Sequence, residues 1–424
     1  MNMTDTHAHY LIVGSSHAGR EALAAIRMAD PKGRLVMLSR EGRMPYSPTI
    51  LPYVASGRSQ PDRVGLADAE WFTENAAELV LNAQVVAVDP AARAVRLADG
   101  RRWTYDKLLL ATGAEPVVPP VKGLDRVRYH VLRTLDDALS IRERSTQARR
   151  AVVLGAGLVG MHAAETMAAA GLDVTMVEMR PHVLAEYFDP KASALIRQTF
   201  ERHSVRMMMG RRLLWAMETV PGSCRLGLDD GTELEADLLL VAAGVRPAMA
   251  MLADSGITID KGILVDDRMR TAAPGIWAAG DVAQARGFLT GVPVVNGTLP
   301  EAVEQGRIAG MDMASDPDLI PYGGGIPLNT YGFFGRHAMA VGTAAVPEGD
   351  GIETVTDEGN GQNGYCRIVL KDNRLIGLAA IDRVMDAGIL WRLILRRTDL
   401  SPVRQQFLSH PLETARALMS RGWR

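Results

Sequence analysis

The stretch AVVLGAGLVGMHAAETMAAAGLDVTMVE, from Ala151 to Glu178, leaves this chain little freedom in what it folds into. An apolar strand, Ala151 to Leu154, feeds the turn Gly155-x-Gly157-x-x-Gly160; a helix follows to about Ala170, and a second strand closes on the acid Glu178. The order and spacing predict a complete dinucleotide-binding βαβ unit. Gly155 suits the tight turn, Gly157 lets a pyrophosphate approach the backbone, and Gly160 lets helix and strand pack closely. Leu158 and Val159 open the helix, whose first N–H groups and positive dipole end face the phosphates.

Residues 10 to 41 repeat the design. YLIVGSSHAGREALAAIRMADPKGRLVMLSRE reads as strand, turn, Ala-rich helix, loop and strand, followed by Arg40 and Glu41. Gly14 and Gly19 hold the first and third glycine positions. Ser16 replaces the middle one, which narrows the phosphate approach without closing it, and His17 and Ala18 complete the turn. Two such folds imply two nucleotides. The acid after each second strand, Glu41 or Glu178, suits a ribose hydroxyl. Glu178 favours NAD over NADP because a carboxylate repels a 2′-phosphate, with nearby Arg180 moderating the preference.

Composition narrows the remaining classes. The 424 residues suggest two or three domains, and 47 Lys+Arg against 49 Asp+Glu with few aromatics gives no nucleic-acid signature. The longest apolar runs, such as Leu238 to Val245, fall well short of the roughly 18 residues that span a bilayer. The start MNMTDTHAHY has neither a basic nor an apolar targeting character, which predicts a cytoplasmic protein. The two cysteines, Cys224 and Cys366, stand far apart, so no metal or cluster site and no paired-thiol redox centre is expected.

Two further segments complete a pattern. YDKLLLATGA, from Tyr105 to Ala114, closes the first unit, and TAAPGIWAAGDV runs from Thr271 to Val282. With the two glycine turns, these resemble the FAD- and NAD(P)H-dependent flavoproteins of the glutathione-reductase-like class, over roughly residues 10 to 310. The resemblance implies an α/β fold with two Rossmann-like domains, the NAD domain (121–245) inserted in a split FAD domain (1–120 and 246–320). An α+β interface domain (321–424) then follows, with strands near His337–Val341, Tyr365–Leu370 and Leu375–Ile381, and carries homo- or hetero-oligomer contacts. It also implies FAD contacts at Pro48, Thr49, Val85, Ala111, Thr112, Gly113, Gly280 and Asp281, and a nicotinamide-side backbone at Gly244. Asp281 is expected at a strand end before a helix, beside the ribityl chain; capping that helix is the plainer use of such a residue. The stretch Gly291 to Gly310 resembles the helix facing the flavin pyrimidine ring, with Pro300 and Glu304 to Gly306 near the cofactor, although ordinary helix packing explains Glu304 equally well.

What exchanges electrons with the flavin divides the family. Aligned on Leu51-Pro52-Tyr53, the position of the reactive cysteine in single-cysteine members is Thr49, so thiol chemistry is disfavoured. The cysteine-free branch resembles ferredoxin and rubredoxin reductases, where a lysine and a glutamate pair beside the flavin. Here Tyr53 and His162 hold those positions, and losing both partners together avoids a buried unpaired charge. Tyr53 and His162 are therefore expected to line the flavin and nicotinamide pocket as catalytic residues, the plainer reading being that His162 only packs on its helix. Hydride transfer between nicotinamide and flavin needs binding, orientation and electrostatics from the protein.

The Tyr46 to Gly57 stretch and the serine-substituted first turn most resemble the flavoprotein subunit of a 2-oxoacid (phenylglyoxylate-type) dehydrogenase complex, which implies electrons arriving from iron–sulfur subunits and leaving as NADH. A stand-alone NADH-dependent rubredoxin or ferredoxin reductase, or a redox-silent flavin-binding assembly module, are the alternatives. From Trp391 onward, Arg392, Arg396, Arg397, Arg404, Arg416, Arg421 and Arg424 face only Asp399 and Glu413. Such a basic face steers an acidic electron-transfer partner; a solvated helix surface accounts for the same residues.

Overall fold

The computed structural model describes residues 6–345, 349, 351–359 and 364–421. The chain divides into two compact units: residues 1–50, 60–115 and 245–325 form one, and 51–59, 116–244 and 326–424 the other.

The first unit is built on a mixed seven-stranded sheet whose centre is parallel, with Val85–Asp89 and Ala94–Leu97 added antiparallel at one edge. Thr6–Val13 lies between Leu35–Leu38 and Arg102–Leu110, and Ile276–Ala278 adds alongside the last of these. All four residues of Leu35–Leu38 are buried, as expected of a parallel strand covered on both faces. The helix His17–Ala29 turns Ala18, Ala22, Leu23, Ala25 and Ile26 inward and lies close against the helix Leu299–Met313. A Cβ on Gly306 or Gly310 would come within 2.2 Å of the Ala18 carbonyl oxygen or 2.4 Å of that of Ala22, so only glycine permits this approach.

In the second unit, Arg206–Met209, Asp173–Glu178, Arg150–Leu154 and Leu238–Val241 form a parallel sheet in that order. The segment Gly231 to Gly244 supplies two strands: Glu233–Ala236 joins an antiparallel meander, and Leu238–Val241 enters the parallel sheet. A five-stranded antiparallel sheet follows, containing Leu328–Phe333, Arg336–Gly342, Tyr365–Lys371 and Arg374–Ile381. It is fastened to the preceding segment within this unit by Tyr365, whose hydroxyl donates to Asp189 Oδ2 at 2.6 Å, and by Phe333 stacked on Phe200. Three helices, Ala387–Leu395, Arg404–Ser409 and Pro411–Arg421, close the chain. Arg392, Arg396, Arg397 and Arg416 are exposed, Arg404 pairs with Glu353, and Arg424 lies outside the described residues. No helix among the described residues is long and apolar enough to cross a membrane.

Candidate functional site

The first unit's turn is shaped by its glycines. Gly14 has φ +114°, and a Cβ there would sit 2.1 Å from the Ala111 carbonyl oxygen; one on Gly19 would sit 2.0 Å from the Gly14 oxygen. Ser16 is the N-cap of His17–Ala29 in an extended conformation, and its hydroxyl makes no capping bond. His17 reaches out of the turn, its Nε2 2.9 Å from Ser47 Oγ, which is in turn 2.8 Å from Thr49 Oγ1. Burial lowers the His17 pKa; Arg20 adds to this, against Glu21 and Asp281. Pro48 and Thr49 begin the short turn Pro48–Ile50, and Val85 is buried at the start of Val85–Asp89.

At the end of the second strand the two turns part company. Val13 pairs with Leu38 and Leu154 with Val177, so the residue matching Glu178 is Ser39. Ser39 is buried and its Oγ accepts from Ser15 Oγ at 3.1 Å. Glu41 lies two residues further on and accepts the Tyr46 hydroxyl at 2.5 Å, while Arg40 pairs with Glu115.

Thr112 spends its hydroxyl on the Ala248 carbonyl at 2.9 Å, and Gly113 follows with φ +68°. The backbone N–H of Gly280 donates to Gln305 Oε1 at 2.9 Å. Asp281 corrects the expectation of a following helix: Gly280 has φ +80°, Ala283 N–H returns to the Gly280 carbonyl, and the chain turns directly into the strand Ala283–Arg286, so Asp281 caps no helix. The helix Leu299–Met313 begins later, with Thr298 as N-cap and Pro300 in its first turn. Glu304 is half exposed and ion-paired to Arg307 at 2.8 Å, whereas Glu301 and Gln305 are buried around the Tyr322 hydroxyl.

Asn296 Nδ2 and Thr298 Oγ1 are buried without a protein partner. Between them stands Gly297, where a Cβ would lie 3.6 Å from the Asp281 carboxylate. Unused donor and acceptor capacity beside Asp281, next to a turn only glycines allow, fits the hydroxyls and ring edges of FAD. Sequence reasoning missed Asn296, Thr298 and Glu301; the Asn-Gly-Thr run before Pro300 was the available sign of a helix start.

The second unit repeats the turn with different polar chemistry. Gly155 has φ +108°, with the Ala242 carbonyl oxygen 2.3 Å from a Cβ position; at Gly160 the Gly155 oxygen is 2.0 Å away. Gly157 differs from both, since its Cβ would meet nothing within 4 Å. That open space lies over the first turn of Leu158–Ala169, where backbone N–H groups have no partner within the helix, and it fits a pyrophosphate. Val159 is exposed there. Glu178 is anchored at the turn, Oε2 accepting the Ala156 N–H and Oε1 the Arg180 N–H, each at 2.7 Å, while the Arg180 side chain pairs with Glu186. Gly244, with φ +106°, follows Leu238–Val241.

Tyr53 and His162 also come together within this unit. Their rings lie 6.0 Å apart; the Arg58 guanidinium stands 4.9 Å over Tyr53, and Tyr331 meets His162 edge-on at 4.6 Å. Burial, helped by Arg58, lowers His162 to about 4, so its imidazole is neutral at pH 7. Burial pushes the Cys224 thiol up to about 11 and Cys366 to about 12, which leaves neither as a ready thiolate. No group of three or more potential metal-ligating side chains occurs among the described residues.

Known proteins resemble this chain along most of its length. Residues 8–306 match the family model described as pyridine nucleotide-disulphide oxidoreductase. The chain is 49% identical over 425 residues, covering 100% of both proteins, to the NADH-dependent phenylglyoxylate dehydrogenase subunit epsilon of Aromatoleum evansii. It is 30% identical to a rubredoxin-NAD(+) reductase of Pseudomonas putida, over 70% of this chain and 78% of that one. Among solved structures, a ferredoxin reductase from Rhodopseudomonas palustris superposes with a TM-score of 0.80 at 28% identity, covering 88% of this chain and 91% of the other.

Proposed function

The chain belongs to the pyridine nucleotide-disulphide oxidoreductase family, and on that premise we propose that it is the NAD+-reducing flavoprotein subunit of a phenylglyoxylate-type 2-oxoacid dehydrogenase complex. It is an NAD(H)-dependent electron-transfer oxidoreductase whose cofactors are FAD and NAD. The finer reading is carried by one observation, the 49% identity to the epsilon subunit along the full length of both chains. In that role it takes electrons from iron–sulfur partners and delivers them to NAD+.

Bound FAD and NAD supply the exchange between single electrons and a hydride, so the protein's contribution is holding and tuning. The turn Gly14–Gly19 and the first N–H groups of His17–Ala29 hold the FAD pyrophosphate. Asp281, Asn296 and Thr298 offer acceptors and donors to its polar groups, and Thr49 takes the place of a reactive thiol. The turn Gly155–Gly160 holds the NAD pyrophosphate, with Glu178 directed to the adenosine ribose. Tyr53, under the Arg58 guanidinium, and the neutral His162 stand toward the nicotinamide in place of a lysine–glutamate ion pair.

Native purification tests this reading. Co-elution with iron–sulfur and thiamine-diphosphate subunits, with NAD+ reduction driven by a 2-oxoacid, is expected. A free flavoprotein that reduces rubredoxin or ferredoxin with NADH would identify the stand-alone reductase instead, the reading the rubredoxin-NAD(+) reductase similarity favours. Flavin that NADH fails to bleach would leave only a redox-silent module.

A further inference from the structure

The face of the helix Leu158–Ala169 that meets the strand Leu328–Phe333 is lined by polar atoms with no protein partner. His162, Glu165 and Thr166 are three and four positions apart and so share that face. His162 Nδ1, Glu165 Oε2 and Thr166 Oγ1 are all buried and unpaired. From the strand, Tyr331 lays its ring edge-on to His162, and its hydroxyl is buried and unpaired as well. Asn329, two residues earlier on the same strand face, adds an unpaired Nδ2. Tyr331 is 2% exposed, Thr166 5% and Glu165 8%, so this is interior.

The seam is fixed in place from behind. Glu165 Oε1 accepts the Phe334 N–H at 2.9 Å, which aims the other carboxylate oxygen into the seam. Burial keeps the Tyr331 phenol well above its usual range, with Glu165 and Tyr53 adding to the effect, so the hydroxyl retains its proton. Buried polar groups are rarely left unpaired, and a water molecule needs two to four such partners to stay ordered. The seam offers a carboxylate acceptor, a phenol, a hydroxyl, an amide donor and an imidazole nitrogen.

We propose that this seam is a hydrated proton-holding site, in which buried water joins His162, Glu165, Thr166, Asn329 and Tyr331 and supplies the reaction's one solvent-derived proton. The proposal rests on the reading that the chain makes NADH from single electrons. The balance is NAD+ + 2e− + H+ → NADH: the partner supplies two electrons, and the proton comes from solvent, relayed through the seam's water so that no side chain of the seam changes its charge. Reduction in the opposite sense, by NADH, brings its own proton within the hydride and draws nothing from the seam. Tyr53 and His162 form the end of the seam next to Arg58, and Glu165 stands one helical turn beyond His162. Glu165 and Tyr331 act here as positioning residues for water.

Two measurements decide the matter. A high-resolution crystal structure of the full chain is expected to show ordered water bonded to Glu165 Oε2 and the Tyr331 hydroxyl; a dry seam overturns the proposal. In stopped flow, Glu165→Gln and Tyr331→Phe are expected to slow dithionite-driven reduction of the flavin-loaded protein about tenfold and to lower its solvent deuterium isotope effect, with NADH-driven reduction changed by less than about twofold. Glu165→Gln keeps an acceptor for Phe334, so it preserves the fold. Equal slowing of both half-reactions, or of neither, overturns the proton role. Unmodified protein whose flavin NADH cannot reduce would instead sink the functional reading, while the crystallographic test of the water would stand.

Discussion

The two glycine turns of this chain share a backbone and differ in what they show a ligand. Gly14 and Gly155 adopt φ +114° and +108°, and Gly19 and Gly160 each place a Cβ position 2.0 Å from the carbonyl oxygen of the turn's first glycine. The frame is therefore dictated by close backbone approach and tolerates one residue type. Around it the side chains diverge: Ser16 against Gly157, and Ser39 against Glu178. The glycine spacing specifies the backbone shape of the turn, and the strand-end residue decides what polar group stands beside it, a buried serine hydroxyl in one turn and a carboxylate in the other.

Breaking the frame on one side at a time gives the largest expected effect. Gly14→Ala should yield protein without flavin. Gly155→Ala should retain the yellow flavin absorbance and lose NADH affinity about 100-fold, since a left-handed backbone costs ~1–2 kcal/mol and overpacking ~1–3 kcal/mol. Flavin content and an NADH titration of each variant measure this; a joint loss in both would mean the turns are not independent.

The histidines sharpen the contrast next. Burial lowers the pKa of both His17 and His162, and His162 lies at about 4 against an ordinary 6.5. Because the unfolded chain binds the proton that the folded His162 refuses, its stabilising share is complete above pH 6.5 and falls as pH drops from 6.5 toward 4. The loss is on the order of 3 kcal/mol. Urea unfolding at pH 7 and pH 4.5 should show this slope, and His162→Gln should flatten it.

Third comes the strand end. Glu178→Ala should weaken NADH binding by about 2 kcal/mol and narrow the preference over NADPH, since hydrogen bonds to a charged group contribute ~1.5–3 kcal/mol. Ser39→Ala, which removes a neutral pair, should cost about 1 kcal/mol or less in flavin retention. Comparing the KM for NADH with that for NADPH checks the first, and flavin release on dilution checks the second. The smallest effect belongs to the middle position. Exchanging residues there, as Ser16→Gly and Gly157→Ser, should tighten FAD and loosen NAD by about 1 kcal/mol each without altering the melting temperature.

Much of the fold was legible before any coordinates. The second βαβ unit was read to within a residue of its helix end, because an apolar strand, a glycine turn and a run of Ala-rich, strongly apolar helix formers are local signals that carry through to the folded state. The strands near His337, Tyr365 and Leu375 were legible for the same reason. Glu41 shows where that reading stopped. An acid close to a strand end attracts attention, but only the register Val13 to Leu38 shows that Ser39 occupies the equivalent place. Asp281 is similar: a Gly-Asp pair suggests a helix cap, and the long-range pairing that turns it into Ala283–Arg286 is invisible locally.

The sequence by itself determined the two nucleotide folds, their order and the lack of a thiol at position 49, because glycine spacing and residue identity are local properties. Tertiary structure decided which polar atoms find partners. Tyr53 meets His162, and Tyr331 meets the same histidine, across 109 and 169 positions of chain respectively (162 − 53 and 331 − 162). Burial and hydrogen-bond satisfaction arise from such distant encounters, and they separate a packed side chain from one poised to hold a proton.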